Sequence, residues 1–122
     1  MSARPIAMFK IALSWLMVLA CMGFIFRVSA TPGSDIPPLF PYQDVVYHFV
    51  IYLILGVLFS HALKNTYPKL NRRQAVIIAC LFTLIYGASD EVHQFFVPGR
   101  SCTLADMFID GLCGSLGAIL LR

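Results

Sequence analysis

The sequence predicts an all-α integral membrane protein: a four-helix bundle with short loops and both termini in the cytoplasm. Three observations carry that expectation. Apolar residues fill 59% of the 122 positions and charged residues only 12%, against roughly 45–50% and 25% in soluble domains. The mean hydropathy is +0.80, and a folded chain this small still exposes about a third or more of its unfolded surface. The apolar residues also gather in four runs, each close to the ~20 residues that cross a hydrocarbon core as a helix. None of the runs alternates as barrel strands do. Disordered proteins, secreted disulfide scaffolds and most soluble enzymes are excluded.

The first run is Ile6–Phe26. Arg4, Lys10, the apolar stretch and Val28-Ser29-Ala30 together also resemble a signal peptide with a small-residue cleavage site. The stretch is long for such a segment, and Arg27 sits awkwardly before the site, so an uncleaved first helix is expected. Residues 27–44 hold four prolines and a glycine, an irregular loop. The second run is Val45–Leu63, followed by the polar, basic loop 64–74. The third, Ala75–Val97, is joined by the tight turn Pro98–Cys102 to the fourth, Thr103–Leu121. No repeat or second domain is evident, and 1–122 reads as one transmembrane domain.

Orientation follows from the basic residues. Arg4, Lys10, Lys64, Lys69, Arg72, Arg73 and Arg122 fall on one side, and only Arg27 and Arg100 on the other. The positive-inside rule puts the first side, with both termini, in the cytoplasm. The net charge is +3, and the basic residues are too dispersed for a nucleic-acid footprint. Cys21, Cys80, Cys102 and Cys113 form no C-x-x-C pair; Cys21, Cys80 and Cys113 read as small apolar fillers, and Cys102 alone is expected near water.

The acidic residues are more informative. Asp44, Asp90, Glu91, Asp106 and Asp110 lie in or beside the last three helices, where ionisable groups are costly and by default functional. Glu91 lies about 24 Å along the third helix from its cytoplasmic end, and Asp110 about 10 Å into the fourth from outside. Asp44 and His48 share a helix face, as do Glu91 and Gln94, and Asp106 and Asp110. Three helices thus present polar pairs at one height, with Arg100 in the turn between two of them. An outward-opening pocket lined by His48, Glu91, Gln94, Arg100, Asp106 and Asp110 is the expectation. Gly111, Gly114, Gly117 and Ala118 are read as close helix packing within the chain, and Tyr42, Tyr47, Phe95 and Phe96 as an interfacial aromatic belt. His61 reads as a solvated helix end.

The run Ser89-Asp90-Glu91-Val92-His93-Gln94-Phe95-Phe96-Val97-Pro98-Gly99-Arg100, with Asp106 and Asp110-Gly111 downstream, resembles the signature of the VanZ-like family of bacterial membrane proteins. So does Asp44-Val45-Val46-Tyr47-His48-Phe49-Val50-Ile51-Tyr52. The resemblance spans Asp44 to the C-terminus. It departs at Asp110, where the family pattern often has Asn. The founding member is associated with teicoplanin resistance, so the resemblance implies a cell-envelope role in a bacterial inner (cytoplasmic) membrane.

Chemically, Glu91 or His48 is a candidate general base and Asp110 a candidate acid. Asp44, Ser89, Gln94, Arg100 and Asp106 are candidate ligand-binding residues, Arg100 having the planar fork suited to phosphate or carboxylate. Ser89 has no nucleophile-elbow context. His48, Glu91, Asp106 and Asp110 could alternatively ligate a divalent metal, but they show no recognised ligand spacing, so no metal is predicted; nothing in the sequence points to an organic cofactor. Membrane lipids and an amphiphilic or lipid-linked envelope compound are the expected partners, and binding accounts for the residues as well as catalysis does. The alternatives are a non-catalytic helper of an envelope complex and a small transporter, which would need an oligomer. A purely structural network is the competing account, but interhelical bonds in membranes contribute only about 0.6 kcal/mol on average.

Overall fold

The structure, a computed structural model, describes residues 4–30, 39, 43–98 and 104–121. These residues form four helices and, among them, no strand: α1 (Arg4–Ser29), α2 (Gln43–Thr66), α3 (Arg72–Phe95) and α4 (Leu104–Leu121). The first three begin before the apolar runs that announce them. A helix satisfies its own backbone, so it continues into polar flanks where hydropathy no longer marks it. Pro5 occupies the first turn of α1, where its missing N–H costs nothing. A capping box starts α3 early: Gln74 N donates to Asn71 Oδ1 at 2.8 Å and Asn71 N to Gln74 Oε1 at 3.1 Å. At its far end α3 stops two residues short of Val97, where Phe96 N bonds back to His93 O at 3.1 Å and Pro98 follows.

Three helical stretches, Arg4–Ser29, Val46–Thr66 and Arg72–Phe95, are long and apolar enough to cross a membrane. The fourth helix has 18 residues, and its apolar part, Met107–Leu120, is shorter. Helix α1 buries Ser14, Val18, Ile25 and Ser29 on one face. It exposes Ile6, Met8, Phe9, Leu16, Leu19 and Phe24 on the others. Such a surface suits hydrocarbon rather than water.

Helix α4 packs against both α2 and α3, while α1 lies on α2 with a smaller contact to α3 and, among the described residues, does not meet α4. Small residues set the closest approach. A Cβ at Gly56 would strike the Gly114 backbone, one at Gly114 would strike the Thr83 side chain, and one at Gly117 would lie 2.5 Å from Leu53 O. The glycines of α4 therefore serve packing inside the chain, as their spacing predicts. Aromatic rings link the helices along the interior: Trp15 on Phe59, Phe59 on Phe82, Phe82 on Tyr86, Tyr86 beside Tyr52, and Tyr52 on His48. Trp15 Nε1 donates to Thr66 Oγ1 at 2.8 Å and Tyr86 OH to Met22 O at 2.6 Å, tying α1 to α2 and α3. Arg72 reaches the last turn of α4 at Ile119 O, 3.4 Å away, where a cation complements the helix C-terminus.

Candidate functional site

The connectivity brings the end of α1, the start of α2, the end of α3 and the start of α4 together at one end of the bundle. At 1.5 Å per residue, His48 is about 8 Å in from the start of α2. Glu91 is about 6 Å before the end of α3, and Asp110 about 9 Å in from the start of α4. Three side chains from three helices therefore share one level.

They also meet. His48 Nδ1 lies 2.9 Å from Asp110 Oδ1. One ligand atom from each of His48, Glu91 and Asp110 falls within 4.8 Å of the other two. Asp110 is 0% exposed, Glu91 4% and Gln94 3%. The second Asp110 oxygen, Oδ2, has no hydrogen-bond partner among the described residues. It faces α3 at Gly87, where a Cβ would come within 2.6 Å of it. Gly87 and Glu91 are one turn apart on α3, so the glycine opens the helix surface on which Asp110 rests.

A second polar group adjoins the first. Asp90 is buried and accepts hydrogen bonds from Ser29 Oγ of α1 and from Tyr52 OH of α2, the latter at 3.1 Å. Tyr52 stacks on His48 with ring centroids 5.8 Å apart and planes 4° from parallel, so one turn of α2 serves both groups. Consecutive helix positions point about 100° apart. Asp90 therefore turns toward α1 and α2 while its neighbour Glu91 turns toward His48 and Asp110.

Of the residues singled out by sequence, His48, Glu91 and Asp110 come together, and Gln94 is buried on α3 a turn beyond Asp90. Ser89 does not join them: it is exposed, and its hydroxyl donates to Tyr86 O of its own helix at 2.8 Å. The step from Ser89 to Glu91 is about 200° around a helix, which places the two on different faces. Arg100 lies outside the described residues, as do the side chains of Asp44 and Asp106, whose backbones are helical in α2 and α4. Tyr42 of the aromatic belt is likewise outside, while Tyr47, Phe95 and Phe96 are exposed at this end. Sequence reasoning left out Ser29, Tyr52 and Asp90 as site residues. The available signal was the spacing His48–Tyr52, four residues on one face of α2.

This architecture defines a class: a helical membrane protein with histidine and carboxyl groups buried at one end of its bundle. The chain belongs to the VanZ/LLP1 family, whose model matches residues 9–122. That match includes most of α1 and so reaches well upstream of the motifs between Asp44 and Asp110. No curated protein and no solved structure matches the chain.

Proposed function

We propose that the chain sits in a bacterial inner membrane with both termini cytoplasmic, and that its buried polar cluster binds or modifies an amphiphilic or lipid-linked envelope compound from the outer face. One observation carries the reading: His48, Glu91 and Asp110, from three helices, converge at one end of the bundle. Ionisable groups placed at membrane depth are costly, and their usual justification is a ligand or a proton to be moved. The split of basic residues supports an outward orientation of that end, where the polar part of an envelope lipid sits. His48, held by Asp110, is oriented to take or give a proton, and Glu91 is a carboxyl group beside it. Gln94, and Arg100 six positions later in the sequence, are the proposed hydrogen-bond donors to an anionic headgroup.

The test uses the full chain, purified in detergent and incubated with total envelope lipid extract, followed by mass spectrometry of bound and free lipid. A species that co-purifies with the wild type and not with Glu91→Gln or His48→Ala supports binding, and its conversion supports catalysis. Equal recovery from wild type and both variants overturns the site. Teicoplanin susceptibility of cells carrying the same variants is the matching phenotype, given the resistance association of the family's founding member.

A further inference from the structure

We infer that His48, Glu91 and Asp110 form a binding site for a divalent transition-metal ion. The three residues offer one imidazole nitrogen and two carboxylate oxygens, mutually within 4.8 Å. Ligands on one such ion, each about 2.0–2.2 Å from it, stand at most about 4 Å apart, so side-chain rotation of less than about 1 Å closes the set. The donors come from α2, α3 and α4: α2 and α4 pack backbone to backbone at Gly56, Gly114 and Gly117, and α3 sets the Thr83 side chain against Gly114. The frame is therefore rigid and the side chains need only small adjustments.

The independent pointer to a ligand is Asp110 Oδ2. Its carboxyl group is wholly buried, and this oxygen has no hydrogen-bond partner among the described residues. It lies toward α3 at Gly87, on the helix face that carries Glu91 one turn later. Buried carboxylates without full hydrogen bonding are normally paired with a cation or coordinate a metal. Room for the carboxylate exists because position 87 has no side chain: a Cβ there would sit 2.6 Å from Oδ2.

The donor chemistry narrows the ion. One nitrogen with two oxygens suits zinc, manganese or ferrous iron, whereas magnesium and calcium favour oxygen alone and copper(I) favours sulfur. Three protein ligands leave at least one coordination position open, the pattern of sites that bind or activate a further molecule. Tyr52, stacked on His48, supports the imidazole ring from one side. The site stands on these donors alone and does not depend on the envelope-lipid reading. If both hold, the open position is where an anionic headgroup would bind.

The test needs no lipid. Full-length chain in detergent, stripped with chelator, is titrated separately with zinc and manganese ions by calorimetry, and the metal content is then measured. One ion per chain is expected. Asp110→Asn and Glu91→Gln, which preserve volume, should weaken binding at least about tenfold. His61→Ala, at an exposed histidine outside the cluster, should leave it within about twofold. X-ray absorption of the wild-type complex should show imidazole and oxygen ligands without sulfur, a readout that does not rely on any variant folding. Absence of stoichiometric binding, a sulfur-containing shell, equal binding by the Asp110 and Glu91 variants, or loss only with His61→Ala at the exposed His61 would overturn the site.

Discussion

His48 on α2 and Asp110 on α4 are 62 residues apart in the chain, yet His48 Nδ1 and Asp110 Oδ1 stand 2.9 Å apart. The aspartate is fully buried, and the histidine side chain is 13% exposed. The pair bonds two helices at the same level at which Glu91 enters from a third.

A double-mutant cycle with His48→Ala and Asp110→Asn should give a coupling energy of about 0.6–1.7 kcal/mol, between the average and the maximum found for interhelical bonds in a membrane protein. Reversible unfolding in mixed micelles is the measurement. Additive single effects would show that the contact contributes nothing of its own.

The glycine contacts predict a contrast within one residue type. Gly56→Ala and Gly114→Ala should each destabilise the bundle by about 1–3 kcal/mol, because the new methyl meets backbone or Thr83. Gly87→Ala should displace Asp110 and reduce metal binding as well. At Gly23 a Cβ meets nothing within 4 Å, so Gly23→Ala should be neutral or stabilising by up to about 1 kcal/mol. Thermal unfolding of the four variants decides, and a destabilised Gly23→Ala would refute this account of the packing.

Asp90 gathers one hydroxyl from α1 and one from α2. Tyr52→Phe should cost about 1–2 kcal/mol, since a buried carboxyl group loses a donor. Combined with Ser29→Ala, the loss should depart from additivity, because the two donors share one acceptor. Chemical denaturation of the single and double variants measures both, and strictly additive effects would mean that Asp90 does not couple α1 to α2.

The orientation is open to chemical labelling. A cysteine introduced at Lys69→Cys, in the basic loop between α2 and α3, should react with a membrane-impermeant thiol reagent only after cells are permeabilised. Cys102, which precedes α4 in the chain, should react in intact cells. The opposite pattern would reverse the topology and place the polar cluster at the cytoplasmic face.

Much of the fold was legible because its cause is local. A run such as Ala75–Val97 cannot be solvated as a strand or loop in hydrocarbon, so it must be helical wherever its neighbours lie. The helix ends were less legible: Asn71 and Gln74 start α3 through side-chain capping, which hydropathy does not register. Of the site, the spacing Glu91–Gln94 on α3 marked one buried face correctly. Ser89 lies on a different face from Glu91, because adjacency in a motif says nothing about direction around a helix. Ser29 could not be found at all from its own surroundings, since only the docking of α1 brings its hydroxyl to Asp90.

By itself, the sequence determined that the chain is helical, apolar enough for lipid, and polar at one level of several helices. Each of these depends on residues within one helical run and on the solvent around it. Tertiary structure alone decided which polar groups touch: that His48 meets Asp110, that Glu91 joins them, and that Asp90 turns instead to Ser29 and Tyr52. The physical reason is rotation and proximity. Height along a helix can be counted from sequence, but the angle at which α2, α3 and α4 face one another is set by contacts such as Gly56 against Gly114, between residues far apart in the chain.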